Sequence, residues 1–263
     1  MDASLEFIGT ATTLLRLGGF TLLTDPNFLH RGERAYLGRG LVSKRLTEPA
    51  RQVDDLPPLD AVLLSHLHGD HWDRRAQAGL AKQLPVVTTR HAARRLRIRG
   101  FENAVALDTW TSHELRRGDE RLTITSLPGR HAPGPARHVL PPVMGSLLEY
   151  TGAGGDEPFR LYVTGDTLNV PELRQIASAY PRLDAAVVHL GGTRILGMLV
   201  TMDAQQGTDL IELVRPEVAV PVHYDDYAVF RSPLSDFRDE MARRGGPVEV
   251  RYVDRGDTVP LTR

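Results

Sequence analysis

Ser65-His66-Leu67-His68-Gly69-Asp70-His71-Trp72-Asp73 sets three imidazoles and a carboxylate, all donors for a transition metal, within six residues. Ala61-Val62-Leu63-Leu64 precedes it, a short apolar run that reads as a buried strand. Asp73 follows in the position of a helix cap, ahead of a helical stretch that starts at Arg74. The motif therefore occupies a loop between a strand end and a helix start, where a rigid scaffold can aim several side chains at one point. His66 and His68, two apart in an extended or turning segment, project to one side and can share an ion. Asp70 and His71 lie past the turn and are better placed for a second ion nearby. Gly69 is expected to permit the tight turn that lets the two sides converge. The plain alternative is a histidine-rich surface loop, which this donor density behind a buried strand argues against.

The chain has 263 residues, 41% hydrophobic and 25% charged, enough for one domain with a substantial core over residues 1–263. A formal net charge of −1 gives no overall basic footprint, so nucleic acid is not the expected partner. The local run Arg94-Arg95-Leu96-Arg97-Ile98-Arg99 reads as a solvated helix face. There is no cysteine, so disulfides and thiolate sites are excluded and any metal must be held by His and carboxylate. No apolar run approaches membrane-spanning length, and no basic segment followed by an apolar one opens the sequence. A cytoplasmic protein is the expectation.

His-x-His-x-Asp-His, as His66, His68, Asp70 and His71, resembles the signature of the metallo-β-lactamase-fold hydrolases. The resemblance implies an α/β chain folded as a four-layer αββα sandwich, two mixed sheets flanked by helices. It further requires a His, a bridging Asp and a last His, in that order, each at a strand end. His131 follows the strand-like Arg121–Ser126 and meets the first requirement; His138, seven residues on in a Pro-rich loop, is its competitor. Asp166 in Thr164-Gly165-Asp166-Thr167 matches the bridging carboxylate, with Gly165 leaving room for close backbone approach. His223, after Val218–Val222, completes the set.

One ion is then expected on His66, His68 and His131 and the other on Asp70, His71 and His223, with Asp166 between them. Asp70 and Asp166 are the expected catalytic carboxylates. Zinc suits neutral imidazole and carboxylate best, and manganese or iron would accept the same donor types. Asp25, at the end of Phe20–Thr24, has two readings: a carboxylate supporting a ligand histidine, or a turn-initiating residue before Pro26. His189 likewise reads as a site residue or as a hydrogen-bonded structural one. Arg130 and Arg194, with Arg137 and Arg231, are candidates to clamp an anionic group of the substrate.

Residues 27–58 read as irregular, a length of connection that is often a functional loop or cover. Thr201-Met202-Asp203 before a helix and Pro221-Val222-His223 are similar to the branch containing ascorbate-phosphate lactonases and N-acyl-phosphatidylethanolamine phospholipases. Leu199 and Val200 stand where that phospholipase has a functional histidine, which counts against phospholipid specificity. The leading expectation is a dinuclear metal hydrolase of a small ester, lactone, amide or phosphoester. The alternatives are a nucleic-acid phosphodiesterase like the tRNA-processing nucleases, and a non-hydrolytic metal- or ligand-binding protein.

Overall fold

A computed structural model describes residues 2–134, 139–155, 157–246 and 248–263. The first strands in chain order are β1 (Ala3–Gly9), β2 (Thr12–Leu17), β3 (Phe20–Thr24), β4 (Arg34–Gly38), β5 (Leu41–Lys44), β6 (Ala61–Leu64), β7 (Val86–Thr89), β8 (Ala104–Leu107) and β9 (Ser112–Arg117). They continue as β10 (Glu120–Leu127), β11 (Gly145–Thr151), β12 (Phe159–Val163), β13 (Ala185–His189), β14 (Arg194–Ile195), β15 (Met198–Leu199), β16 (Val218–Val222), β17 (Glu249–Val250) and β18 (Thr258–Pro260). The helices are α1 (Arg74–Gly79), α2 (Arg90–Ile98), α3 (Arg174–Ala179), α4 (Ala204–Val214) and α5 (Leu234–Arg243).

Two seven-stranded sheets carry the architecture, in the orders β18-β1-β2-β3-β6-β7-β8 and β17-β16-β13-β12-β11-β10-β9. Both are mixed. β3, β6, β7 and β8 run parallel, as do β12, β13, β16 and β17, while the remaining neighbours are antiparallel. The period-2 geometry of a strand explains the layering. In β6, Ala61 and Leu63 face the core between the sheets, whereas Val62 and Leu64 face Ala92, Leu96 and Phe101 on the helical side. Strands buried on both faces lose alternation, which is why these runs are apolar throughout. On the second sheet, Leu210, Ile211 and Val214 of α4 and Phe237 and Met241 of α5 pack on the large core. The result is the expected four-layer αββα sandwich.

One local expectation is corrected and three further features appear. Residues 27–58 contain the β4–β5 hairpin, hidden in sequence because only Ala35 and Leu37 of β4 are buried. β14 and β15 form a second small hairpin, too short to show a period. β18 pairs antiparallel with β1 through Ser4 and Pro260, a proline tolerated on an edge strand. Finally, residues 171–180 open as one 3₁₀ turn, Pro171–Leu173, before α3 begins.

Candidate metal centre

Parallel pairing places the ends of β3, β6, β12, β13 and β16 on common edges of the two sheets, and these ends lead into Asp25, Ser65-His66, Asp166, His189 and His223. β10 runs in the same sense as β12, since β11 lies antiparallel between them, and leads towards His131. Open α/β sheets place ligand sites at the carboxyl ends of their strands for this reason. Asp73 fixes the far side of the motif loop. Its carboxylate accepts from Ala76 N at 2.7 Å as the cap of α1, and also from Phe28 N at 2.5 Å and Leu29 N at 2.7 Å.

The structure brings the seven expected ligands together in two adjoining groups, His66–His68–His131 and Asp70–His71–Asp166–His223. In the first, His68 Nδ1 lies 2.9 Å from His66 Nε2 and 3.1 Å from His131 Nε2. In the second, His71 Nε2 lies 3.2 Å from Asp166 Oδ2 and His223 Nε2 lies 3.4 Å from Asp70 Oδ2. Asp166 Oδ2 is also 3.9 Å from His131 Nε2, so this one carboxylate touches both groups. His138 and Arg137 lie outside the described residues.

The outward nitrogens of the imidazoles are tied to fixed partners. His131 Nδ1 donates to Val200 O at 2.6 Å, and His223 Nδ1 to Leu190 O at 3.1 Å. His71 Nδ1 is 3.1 Å from Asp25 Oδ2, and His66 Nδ1 is 3.0 Å from Ser65 Oγ. Holding one ring nitrogen in this way sets the tautomer and leaves the other lone pair pointing inward. Asp70 Oδ1, His71 Nε2, Asp166 Oδ1 and His223 Nε2 are buried with no hydrogen-bond partner among the described residues. Burying such atoms unpaired costs about 1–3 kcal/mol each, more for charged groups. Converging, unpaired nitrogen and carboxylate donors fit divalent cations, and ligand atoms around a tetrahedral zinc would stand roughly 3.4 Å apart given its usual bond lengths.

The electrostatics divide the two groups. Burial, reinforced by the neighbouring imidazoles, holds His66 well below the usual histidine range and His68 at about 3; burial also lowers His131. These shifts favour the neutral imidazole, the form that binds metal. Burial alone would lower His71 and His223 as well, but the surrounding carboxylates, Asp166 foremost, raise both. Burial pushes Asp166 up and is outweighed by His223 and His71, which hold it well below the usual carboxylate range.

Asp25 sits beneath the centre. Its carboxylate accepts from Ser65 N at 2.7 Å and Ser65 Oγ at 2.9 Å, and faces His71 Nδ1 and, at 3.5 Å, His189 Nε2. Asp25, His71 and His189 converge as a third group, yet the Asp25 oxygens already receive Ser65, which makes this a hydrogen-bonded support. His189 Nδ1 lies 3.2 Å from Thr164 Oγ1, and its ring stacks 6.1 Å from that of His71. Ser65, quoted with the motif but given no role from sequence, joins Asp25 to both His66 and His71. Asp25 and His223 both take left-handed backbone, φ 36° and 64°, a strain that concentrates where side chains must be aimed. Gly165 has φ 61°, and a β-carbon there would meet Met144 O at 2.7 Å.

The two arginines expected to clamp an anion are engaged elsewhere. The Arg130 guanidinium is bound by Glu172, and Arg194 Nη2 lies 3.5 Å from Asp203 Oδ2, beside Arg231 in a small depression. Tyr224 turns away from the centre, its hydroxyl directed at Val253 O. Gly69 lies in the expected turn, where His71 N and Trp72 N both donate to His68 O; its backbone is not left-handed, and glycine is required there because Tyr36 of the β4–β5 hairpin packs against it.

Fold, strand-end histidines and carboxylates together define a metallo-hydrolase. A family model described as the beta-lactamase superfamily domain matches residues 21–224, and the chain belongs to that superfamily. The chain is 30% identical over 257 residues to a UPF0173 metal-dependent hydrolase of Deinococcus radiodurans, covering 97% of both chains. A UPF0173 metal-dependent hydrolase of Methanopyrus kandleri is 24% identical over 254 residues, covering 97% of this chain and 98% of the relative. Among solved structures, an isothiocyanate hydrolase from Delia radicum gut bacteria superposes with a TM-score of 0.81 at 22% identity, covering 97% of this chain and 98% of that one. The protein is a metal-dependent hydrolase of the metallo-β-lactamase superfamily. No helix among the described residues is long and apolar enough to cross a membrane.

Proposed function

We propose that the seven residues hold two divalent transition-metal ions, zinc by preference with manganese or iron suited to the same donors, and that the protein cleaves a small ester, lactone, amide or phosphoester in the cytoplasm. The observation that carries this reading is Asp166, whose Oδ2 lies 3.2 Å from His71 Nε2 of one group and 3.9 Å from His131 Nε2 of the other. A structural metal site closes its coordination around one ion, and a carboxylate shared between two groups has no use there. Divalent ions held by these residues would supply a water of lowered pKa and polarisation of the scissile carbonyl or phosphoryl oxygen.

The chain's own residues supply position and proton handling. Burial lowers the pKa of His66, His68 and His131 and so favours the neutral form, which presents a lone pair. Asp70, with Oδ1 unpartnered, can orient the attacking water, accept its proton and return it to the leaving group. Asp25 and Ser65 keep His66 and His71 from rotating. His68 and His131, 7% and 6% exposed, are the two most exposed of the seven, so substrate enters from their side.

The test is turnover of a mixed panel of lactones, phosphodiesters, phosphomonoesters and amides by zinc-loaded and manganese-loaded protein. Cleavage of at least one class that Asp166→Ala abolishes is expected. Bound metal with no turnover across the panel would contradict the reading.

A further inference from the structure

Beside His68 opens a cleft of about 790 Å³, within the size range of small-molecule sites. Its lining includes Arg34 and Arg39 of the β4–β5 hairpin and Arg95 and Arg99 of α2 and its end. Residues 91, 95 and 99 are four apart, so one face of α2 turns His91, Arg95 and Arg99 towards the cleft. The run read from sequence as a solvated face is therefore divided: Arg94 is not part of the lining, and Arg97 donates to Ala104 O.

These charges are not neutralised locally. Arg34, Arg39, Arg95 and Arg99 have no carboxylate partner among the described residues; Arg39 reaches only Val139 O and Arg99 only Gln77 Oε1. Arg74, also in the lining, is paired with Glu33. The sole carboxylate among the lining residues, Asp73, is buried and accepts three backbone amides. Among the described residues most other arginines of the chain are paired with carboxylates, Arg94 and Arg97 of the same helix being among the exceptions, and the chain as a whole carries −1. Four uncompensated guanidiniums lining one cleft focus a positive potential into it.

We infer that this cleft binds the distal phosphate of a small organophosphate substrate, clamped by Arg34 and Arg39 of the hairpin and Arg95 and Arg99 of α2 and its end, with its scissile bond delivered past His68. This rests on the proposed hydrolytic site and names the class of molecule that site receives. Guanidinium forks match phosphate bidentately and stay charged at every working pH. Leu37, Leu67 and Leu140 leave an apolar stretch for the body of the molecule.

Glucose 6-phosphate and glucose serve as the charged and neutral probes, with binding measured calorimetrically on the protein as purified. Glucose 6-phosphate is expected to bind and glucose not, with affinity falling as sodium chloride is raised. Arg95→Ala/Arg99→Ala and, separately, Arg34→Ala/Arg39→Ala should each weaken it about tenfold or more through lost charge-assisted bonds. Arg94→Ala, outside the lining of the same helix, should leave it unchanged. Asp166→Ala should also retain it, which separates this inference from the metal reading: loss of turnover with retained phosphate binding overturns neither. Binding lost in Asp166→Ala but kept in both arginine pairs would place the phosphate on the metal centre and overturn the inference. Equal weakening by Arg94→Ala, failure of glucose 6-phosphate to bind, or a short RNA that it cannot displace from these arginines would do the same.

Discussion

Gly69 N donates to Tyr36 O at 3.0 Å, and a β-carbon on Gly69 would lie 2.7 Å from that same oxygen. The metal motif and the β4–β5 hairpin are thus in backbone contact, with no room for a side chain between them. Around them Asn27 Nδ2 donates to Gly69 O at 2.8 Å, and Tyr227 OH donates to Asn27 Oδ1 at 2.9 Å. The buried Arg45, next after β5, gives Nη1 to Asn27 O at 3.0 Å and anchors the hairpin's base. Gly69→Ala must push the hairpin off the motif, at a cost of about 1–3 kcal/mol for the overpacking. Denaturant unfolding should show that loss, together with reduced turnover. An unchanged midpoint would mean the hairpin yields freely and does not brace the motif.

Glu33, at the head of the hairpin, accepts from Arg75 Nε at 3.0 Å, Arg74 Nη2 at 2.5 Å and His30 N at 2.6 Å. The Arg75 hydrogen bond, ahead of burial and the other donors, lowers its pKa from 4.5 to about 2. A carboxylate depressed by folding adds stability that is complete above its ordinary pKa and disappears as pH falls through the folded value. With half-exposed partners the contribution is about 1 kcal/mol after solvent screening. Glu33→Gln should therefore show a lower urea midpoint than the parent, by a constant gap from pH 7 to about pH 4.5. The gap should narrow below that. A gap that stays constant through the acid range would place the loss in packing.

Asp25 touches His71 but belongs to neither proposed ligand group. Burial raises its pKa, and His71 and His189 outweigh that, holding it at about 2, so it is ionised at working pH. Asp25→Ala should weaken metal binding by roughly 10–100-fold at the group containing His71, as loss of an outer support does. The three-histidine group, which Asp25 reaches only through Ser65 and His66, should weaken less. Stepwise cobalt titration followed by visible absorption separates the two events, and equal weakening of both would show Asp25 acting through the whole fold.

Much of this was legible in the chain because strand ends are short apolar runs and the ligands follow them directly. Val218–Val222 leads into His223, and Phe159–Val163 leads through Thr164-Gly165 to Asp166, with no intervening loop to obscure the register. Asp73 announced its helix by type and position. The hairpin was not legible, since Arg34-Ala35-Tyr36-Leu37 buries only two small contacts against Leu29 and Tyr227, far along the chain. The arginine cleft was invisible for the same reason: spacing on α2 shows that Arg95 and Arg99 share a face, but only the tertiary fold brings Arg34 and Arg39 into the same lining.

The most direct measurement is the transition-metal content of protein purified without chelator, compared with folded Asp166→Ala. Because Asp166 touches both groups, the parent should hold two ions per chain and the variant no more than one, with an unchanged circular dichroism spectrum and no turnover. A parent without bound transition metal, or a variant that keeps the parent's full complement and activity, would contradict the account.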